Sequence, residues 1–532
     1  MIKRVETAGG KGQTGAMGKK TLLLSVVSGV LLFLSFPKFD LSILVWFSLV
    51  PLFFALQKKS LGEAFWIGLA AGLAYNIGIL YWVSFVVVQY GYLPLYLGIF
   101  IMLLLALYLS LYVSLFSAGI VYFKKKGFPE IVVAPVLWSC LEYAKSHLLT
   151  GFPWENLAYS LHDMISFIQI IDISGVYGLT FVIVLVNCVL YDVLSIKVET
   201  RKRVLSEFTM VAVAIILIFS YGLYRLDQLE HAMEGKKSDK VASVQGNIDQ
   251  TVKWNNEYQN DTLEIYRNLS LTSAKSGTRL IVWPETAAPF FFQTIDDKHR
   301  FVINIAKEAR AYLLFGSPSY RPENGMNYFS NSAYIISSAG DITGRYDKMH
   351  LVPYGEYVPL RKVFFFLEKL VVGVGDFRPG RDLTPLVMDG EKIGVLICYE
   401  GIFPEISRQY HTMGVTLLVN ITNDAWFGTS SAPYQHLTMT AFRAVENRLY
   451  IIRAANTGIS ALIKPTGEII SQTGLYERTI LNGTVTYLNL GTFYARYGDI
   501  FIYLCFITIT VIGLISLKRR SVDDRRYFRS NT

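Results

Sequence analysis

Cysteine and histidine are scarce in this chain of 532 residues. It has four cysteines and seven histidines. Three of the cysteines, Cys140, Cys188 and Cys505, lie in long apolar runs, so Cys398 is the one cysteine in the polar part of the sequence. This distribution excludes a fold that depends on disulfides. The polar part also lacks a Cys/His cluster of the kind that binds zinc, and we expect no metal site there.

Charged residues are scarce as well. Only 17% of the residues are charged and 52% are hydrophobic, which excludes an ordinary soluble protein of this length. A helix that crosses a membrane needs about 20 mostly apolar residues. We therefore predict a polytopic α-helical membrane protein with about eight spans, of which the fifth is the shortest: residues 21–36, 41–56, 64–87, 93–123, 131–143, 164–196, 209–224 and 500–517.

The basic residues indicate how the chain is oriented in the membrane. Lysines and arginines occur in every second loop, as at 124–126, 201–203 and 518–520, whereas the alternate loops have few. Positive residues accumulate on the cytoplasmic side, so both termini are predicted to be cytoplasmic. Much of the net charge of +9 lies in these loops and tails. We interpret it as a signal that sets this orientation and as an attraction to anionic lipid. No basic patch with interleaved aromatics occurs in the polar part, and we expect no nucleic-acid partner.

The polar part between the seventh and eighth spans has a different pattern. Strand-like runs such as 279–283 and 392–397 alternate with helix-like runs such as 257–274. This alternation predicts an α/β sandwich with helices outside two sheets. The predicted order is a basic cytoplasmic tail (1–20), a membrane domain of seven spans (21–225), an extracytoplasmic domain (226–495), an eighth span (496–517) and a second basic tail (518–532). In a bacterium this order predicts the inner membrane, with the large domain in the periplasm.

Three reactive side chains follow predicted strands of this domain. Glu285 comes just after the apolar run 279–283, and Cys398 ends the run 392–397. Lys348 lies beyond the predicted strand 332–337. Loops that follow the strands converge at one end of a sheet, so we expect the three side chains to lie close together.

A carboxylate, an amine and a thiol together can carry out acyl transfer. Glu285 can take the thiol proton and return it to a leaving group. Lys348 can stabilise the thiolate and a developing oxyanion, and the backbone N–H of Tyr399 is placed to be a second oxyanion donor. Taken singly, each residue is more simply interpreted as a surface or core residue. The combination carries the hypothesis of a Cys398 nucleophile.

The order of these motifs resembles the nitrilase, or carbon–nitrogen hydrolase, superfamily, and with the apolar runs it resembles the bacterial apolipoprotein N-acyltransferases. One departure is Asp249, where that family pattern has proline. The matching segments are Gln-Gly-Asn-Ile at 245–248, Lys-Trp at 253–254, Trp-Pro-Glu at 283–285, Arg-Tyr-Asp-Lys at 345–348, His-Leu-Val-Pro-Tyr-Gly-Glu at 350–356, Cys-Tyr-Glu at 398–400, Asn-Asp-Ala-Trp-Phe-Gly at 423–428 and, in the apolar part, Thr-Gly-Phe-Pro-Trp at 150–154.

The resemblance implies a nitrilase-like αββα sandwich and a specific reaction. A fatty acyl chain passes from phospholipid to Cys398 as a thioester, and then to the α-amino group of the N-terminal S-diacylglyceryl cysteine of an apolipoprotein, in a ping-pong mechanism. The resemblance assigns catalysis to Glu285, Lys348 and Cys398. It implies no cofactor and no metal, and we expect a monomer. Supporting or substrate-binding positions that it implies are Trp254, Asn331, Glu356, Tyr399 and Glu400.

Other functions are compatible with parts of this pattern. A membrane-tethered C–N hydrolase, or amidase, would use the same three residues with water as the acceptor, but would not need eight spans. A non-catalytic membrane anchor domain would not need Glu285, Lys348 and Cys398 to be intact. A transporter would need a buried charged set within the spans, and the sequence shows no clear one.

Overall fold

The computed structural model describes residues 18–250, 252–323, 325–353, 355–357 and 377–519. The helices in these residues are α1 (Lys19–Leu34), α2 (Val50–Ala55), α3 (Leu61–Leu80), α4 (Trp82–Gly91), α5 (Leu95–Lys125), α6 (Glu130–His147), α7 (Ile165–Ile168), α8 (Ile171–Leu194), α9 (Arg201–Met233), α10 (Asn256–Ala274), α11 (Asp297–Ala309), α12 (Pro404–Thr412), α13 (Ala432–Asn447), α14 (Phe493–Tyr497) and α15 (Ile500–Lys518). The strands are β1 (Ser238–Gln245), β2 (Leu280–Val282), β3 (Tyr312–Glu323), β4 (Met326–Ile336), β5 (Ile342–Asp347), β6 (Leu386–Met388), β7 (Glu391–Ile397), β8 (Leu417–Thr422), β9 (Ile451–Ala455), β10 (Ala461–Ile463), β11 (Ile469–Gln472) and β12 (Thr479–Thr486).

Several apolar helices form the N-terminal region, as predicted. Within the described residues, five helices are long and apolar enough to cross a membrane: Leu61–Leu80, Leu95–Lys125, Ile171–Leu194, Val198–Met233 and Ile500–Lys518. The shorter helices α1 and α6 pack beside them. The number of eight spans therefore stays a prediction. Helix α9 continues to Met233 and β1 begins at Ser238, so the predicted boundary at residue 226 lies within a helix.

The second predicted span, residues 41–56, is not one continuous helix. A 3₁₀ turn at Ser42–Trp46 is followed by the short helix α2. The break leaves backbone groups without helical partners, and Asn187 of α8 satisfies two of them. Its Oδ1 accepts from the Leu49 N–H at 2.8 Å, and its Nδ2 donates to the Val45 carbonyl at 2.9 Å. A broken helix is tolerated at membrane depth when protein groups replace the lost hydrogen bonds.

The C-terminal region is a nitrilase-like αββα sandwich, as predicted. In the described residues each sheet has six strands, in the orders β12-β1-β2-β3-β4-β5 and β11-β10-β9-β8-β7-β6. The central strands β1, β2 and β3 are parallel, as are β7, β8 and β9. Helices α10 and α11 cover the first sheet, where Trp283 stacks on Tyr266 of α10 at 4.9 Å between ring centroids. Helix α12 packs on β7 of the second sheet, and α13 contacts β9, where Arg453 Nη1 donates to the Thr440 hydroxyl at 3.3 Å.

Helix α13 is covered on both sides. All of its 16 residues except Tyr434 are buried. One side contacts the turn that follows β7, and the other contacts the membrane region, where the ring of Tyr159 meets Phe442 at 4.8 Å and the Trp154 indole N–H donates to Gln435 Oε1 at 2.9 Å. The outer helix of the sandwich is therefore an inner layer of the whole molecule.

The sequence predicted no clear buried charged set within the spans, but the structure buries a carboxylate in each of two predicted spans. Glu142 of α6 is buried and accepts from the Leu157 N–H and the Thr180 hydroxyl, each at 2.7 Å. Asp172 of α8 is buried and accepts from Arg448, which follows α13, with Nη2 to Oδ2 at 2.6 Å. Both carboxylates are hydrogen-bonded within the protein, and Asp172 joins the membrane region to the sandwich.

We expect Asp172→Ala to destabilise the junction between the two regions. Arg448 is fully buried and would lose its carboxylate partner, as would Arg225, whose Nε lies 2.9 Å from Asp172 Oδ2. Removing one partner of a buried ion pair costs about 3–5 kcal/mol. Thermal unfolding in detergent measures the loss. The control is Asp227→Ala on α9, whose side chain is 75% exposed. Equal midpoints for the two variants would contradict the prediction.

Candidate active site

Three strand ends bring the predicted catalytic residues together. Glu285 follows β2, Lys348 follows β5 and Cys398 follows β7. Strand β5 is an edge strand that the sequence pattern missed, and it carries Lys348 back beside β4, where the Lys348 N–H donates to the Asn331 carbonyl at 2.8 Å. Lys348 Nζ lies 3.9 Å from Glu285 Oε1. The Cys398 thiol is close enough to both residues for their charges to shift its pKa.

Glu285 is a buried carboxylate with a partner at each oxygen. Oε1 accepts from Asn331 Nδ2 at 2.7 Å, and Oε2 accepts from the backbone N–H of Asn423 at 2.9 Å. Burial raises the pKa of Glu285, and the charge of Lys348 opposes that rise. A Cβ atom on Gly316 of β3 would lie 2.7 Å from Glu285 Cα, so glycine is needed for this close approach. The carboxylate is therefore held in place, and its raised pKa suits it to accepting and returning a proton.

Lys348 is 1% exposed and has a second carboxylate partner, Glu356. Its Nζ lies 2.8 Å from Glu356 Oε2. Asn331 connects the two carboxylates, because its Nδ2 donates to Glu285 at 2.7 Å and to Glu356 Oε1 at 2.9 Å. Burial alone would lower the pKa of Lys348, but Glu356 and then Glu285 raise it above its ordinary value. Lys348 is thus a fixed positive charge.

Cys398 adopts a strained backbone conformation at the start of a 3₁₀ turn, Cys398–Ile402. Its φ is 53°, in the left-handed region that non-glycine residues seldom occupy. Such strain is typical of functional sites, where the surrounding structure holds it in place. Burial raises the pKa of the thiol, Glu285 raises it further and Lys348 opposes both. The resting thiol is neutral, so it needs a base to become a nucleophile.

Glu400 joins the Cys398 turn to the Lys348 loop. Its Oε2 accepts from the Ile397 N–H at 2.8 Å, just before Cys398. Its Oε1 accepts from the Tyr346 hydroxyl and from the Met349 N–H, each at 2.7 Å. Both carboxylate oxygens of Glu400 are thus occupied by hydrogen bonds from other protein groups. Glu400 therefore holds the two loops in position.

The two predicted aromatic positions differ in their placement. Tyr399 is buried, and its ring contacts Phe403 at 5.0 Å between centroids. Trp254 is 38% exposed in the turn before α10. In the part of the chain that the structure describes, we find no hydrogen bond or ring contact between Trp254 and Glu285, Lys348 or Cys398.

Lys253 contacts the Glu285 loop, which the sequence analysis did not predict. It is buried, and its Nζ donates to the Glu285 carbonyl at 3.1 Å and to the Thr286 hydroxyl at 2.6 Å. Burial lowers the pKa of Lys253 to about 8, against the opposing charge of Glu285. The sequence did place Lys253 beside Trp254 in a segment that matches the family. A sequence motif does not reveal, however, that its side chain contacts a loop more than thirty residues away.

Potential metal ligands occur elsewhere, in loops of the membrane region. Asp40, His162 and Asp163 place three ligand atoms within 4.8 Å of one another. His162 Nε2 pairs with Asp163 Oδ1 at 3.0 Å, and both aspartates are exposed. None of these residues belongs to the site around Cys398, and we assign them no role in its chemistry.

Family models and known proteins match most of this chain. The family model described as the apolipoprotein N-acyltransferase N-terminal domain matches residues 28–189, and the carbon-nitrogen hydrolase model matches residues 240–491. The apolipoprotein N-acyltransferase of Geobacter metallireducens is 42% identical over 516 residues, which cover 96% of this chain and 98% of that protein. The same-named protein of Rickettsia prowazekii is 32% identical over 504 residues, covering 94% and 99%. A Saccharomyces cerevisiae structure from branch 10 of the nitrilase superfamily aligns with a TM-score of 0.38 and 20% identity, covering 47% of this chain and 90% of that one.

We expect Glu400→Gln to destabilise the site despite its similar shape. The glutamine would have one oxygen, which accepts hydrogen bonds, and one NH₂ group, which only donates them. In either orientation the NH₂ group would face a donor, which is the Ile397 N–H in one case and the Tyr346 hydroxyl and Met349 N–H in the other. Each stranded buried donor costs about 1–3 kcal/mol. Thermal unfolding in detergent measures the change against Glu264→Gln on α10, whose side chain is 51% exposed. A Glu400→Gln midpoint as high as that of the control would show that the glutamate does not connect the two loops.

Proposed function

The chain belongs to the apolipoprotein N-acyltransferase family, and we propose that it transfers its acyl group through a thioester on Cys398. As a member of this family it is a multi-pass membrane acyltransferase whose substrates are a lipid and a lipoprotein. The proposed donor is a phospholipid. The proposed acceptor is the α-amino group of an N-terminal S-diacylglyceryl cysteine, and the product is a triacylated lipoprotein.

In the first half-reaction Cys398 is acylated. Glu285 removes the thiol proton, and the thiolate attacks the carbonyl carbon of a phospholipid ester. The negative charge that develops on the carbonyl oxygen is stabilised by the ammonium of Lys348 and by the N–H of Tyr399. When the C–O bond breaks, Glu285 returns the proton to the leaving oxygen, so lysophospholipid departs and the acyl group remains as a thioester. The 3.9 Å separation of Lys348 Nζ and Glu285 Oε1 supports this division of roles.

In the second half-reaction the lipoprotein amine accepts the acyl group. The amine nitrogen attacks the thioester carbonyl, and Glu285 takes the proton that the nitrogen loses. The C–S bond breaks, the amide departs, and the Cys398 sulfur recovers the proton from Glu285. The same carboxylate therefore serves as base and acid in both halves, which its raised pKa favours.

One observation favours a lipid substrate over a small soluble amide. Asn423, whose N–H donates to Glu285, begins a segment that rests on membrane helix α4. The Tyr90 hydroxyl of α4 donates to the Ala425 carbonyl at 2.8 Å, and the Trp82 ring meets Phe427 at 5.0 Å. The catalytic base is thus one hydrogen bond away from a segment in contact with the membrane region. A tethered amidase or a non-catalytic anchor has no need of this connection.

The reaction is tested by following the thioester. Incubation with phospholipid should give an intact-mass adduct of one acyl chain on the wild type and on Cys505→Ser, and none on Cys398→Ser. The Cys505 variant is the control because Cys505 is also a buried free thiol, but lies in α15. An adduct of the same size on Cys398→Ser would remove Cys398 from the role of nucleophile.

Discharge of the same acyl-enzyme distinguishes the transferase from the hydrolase. After removal of free lipid, the thioester should persist in buffer and with a non-lipidated peptide, and should decay quickly with a diacylglyceryl-cysteine peptide. Fast decay in buffer alone would favour the amidase.

The acid limb of the pH–rate profile should report the ionisation of Glu285. The base works as a carboxylate, so the rate should fall as the pH drops through its raised pKa. The hydrogen bond from Asn331 lowers this pKa, so Asn331→Ala should move the limb to higher pH. Ser330→Ala is the control, because this neighbour on β4 bonds to the Arg378 carbonyl instead. A limb that stays in place or moves to lower pH in Asn331→Ala would argue against Glu285 as the base.

We also propose the bacterial inner membrane as the location, with a periplasmic sandwich domain, cytoplasmic termini and a monomeric chain. The alternation of basic loops supports this orientation. Single cysteines introduced at Glu323 and Ser530 should react with a membrane-impermeant thiol reagent from opposite sides of the membrane. Labelling of both from one side would overturn the orientation. Light scattering in detergent measures the mass and thereby checks the monomer.

A further inference from the structure

A buried histidine outside the three catalytic residues contacts the backbone of the nucleophile. His436 lies on α13 and is almost completely buried. Its Nε2 is 3.1 Å from the carbonyl oxygen of Cys398. A carbonyl oxygen can only accept a hydrogen bond, so Nε2 carries a proton and donates a hydrogen bond to the Cys398 carbonyl.

The other side of the ring is held by charged groups. Nδ1 lies 3.1 Å from Asp424 Oδ1 and 3.1 Å from Arg453 Nη2. Asp424 and Arg453 also pair with each other, with Nη2 to Oδ2 at 2.6 Å. Trp154 of the membrane region covers the ring at 6.0 Å between centroids. These contacts leave the imidazole little freedom to turn, so its Nε2–H points steadily at the Cys398 carbonyl.

Holding that carbonyl also fixes the neighbouring N–H. The Cys398 C=O and the Tyr399 N–H belong to one planar trans peptide, in which the two bonds point in opposite directions. Tyr399 lies in the first turn of the Cys398–Ile402 helix, where backbone N–H groups have no partner within the turn. The N–H is thus available to an oxyanion, and its direction depends on what holds the carbonyl. The strained φ of Cys398 makes such a restraint necessary.

We propose that His436 is a positioning residue, which orients the Tyr399 N–H as an oxyanion donor by binding the Cys398 carbonyl. Asp424 and Arg453 hold the ring in the orientation that this requires. The inference rests on the proposed thioester at Cys398 and adds a residue to the machinery that forms it.

Two substitutions at one position separate this role from a general effect on stability. His436→Gln retains an N–H near the position of Nε2, whereas His436→Asn retains a polar group only near the position of Nδ1. Each variant is assayed for two reactions of Cys398, acyl-enzyme formation with phospholipid and alkylation by iodoacetamide. Alkylation needs the thiolate but forms no oxyanion. Its rate therefore reports whether the site around Cys398 is intact, independently of the Tyr399 N–H.

We expect His436→Asn to form acyl-enzyme about 100-fold more slowly than the wild type, in line with the loss of one oxyanion donor, and to be alkylated at the wild-type rate. His436→Gln should recover a large part of the acylation rate. The control is His411→Asn, which alters another buried histidine, on α12, and should change neither reaction.

Three results would overturn the proposal. One is acylation of His436→Asn at the wild-type rate. Another is an equal loss of acylation and alkylation, which would assign His436 a structural role alone. The third is acylation of His436→Gln as slow as that of His436→Asn. Failure of the wild type to form an acyl-enzyme would instead refute the proposed function, so the two failures are distinguishable.

Discussion

The buried ammonium group of Lys348 is the charge around which the site is arranged. A charged group in a protein interior is costly unless a counter-charge and hydrogen bonds accompany it. Glu356 provides the close partner at 2.8 Å, whereas Glu285 lies at 3.9 Å. Lys348 is therefore paired mainly with Glu356, and Glu285 is paired less tightly. Burial raises the pKa of Glu285, and the charge of Lys348 only partly offsets that rise. This difference is what the proposed mechanism requires, because Glu356 holds Lys348 while Glu285 is left for the proposed proton transfer.

The proposed nucleophile, Cys398, depends on the same kind of restraint, applied to its backbone. Cys398 occupies a left-handed conformation that an isolated chain would avoid. Glu400 holds the residue before it through the Ile397 N–H, and His436 contacts its carbonyl. The energy needed for the strained turn therefore comes from fully hydrogen-bonded buried groups on either side. Glu400 is part of the turn, but its Oε1 accepts from Tyr346 of β5 and from Met349, and His436 lies on α13. The turn therefore keeps its shape only within the folded sandwich.

The sandwich is also coupled to the membrane region at several points, which suits an enzyme whose substrates are a lipid and a lipoprotein. Helix α13 is buried between the second sheet and the membrane helices, and Arg448 at its end pairs with Asp172 of α8. The segment that begins at Asn423 contacts α4 and also donates to Glu285. These contacts fix the position of the proposed catalytic centre relative to the helices. A free sandwich domain would lack this fixed distance between the thiol and an ester at the bilayer surface.

The sequence by itself determined the class of the protein, the two regions and the chain positions of the reactive side chains, because these depend on local patterns. Apolar length predicted the helical region, and the runs 279–283 and 392–397 are the strands β2 and β7 that precede Glu285 and Cys398. It missed β5, an edge strand of mixed polarity without clear alternation.

Only the tertiary structure decided which side chains meet. Asn187 accepts from the Leu49 N–H in the broken run 41–56, although the two residues are 138 positions apart. His436 contacts the Cys398 carbonyl, 38 positions away along the chain. Hydropathy reports the average polarity of a segment, but not whether a distant residue can replace its backbone hydrogen bonds. Likewise a motif names a residue type at a position, whereas its pKa and its partners depend on burial and on charges that the fold brings from elsewhere.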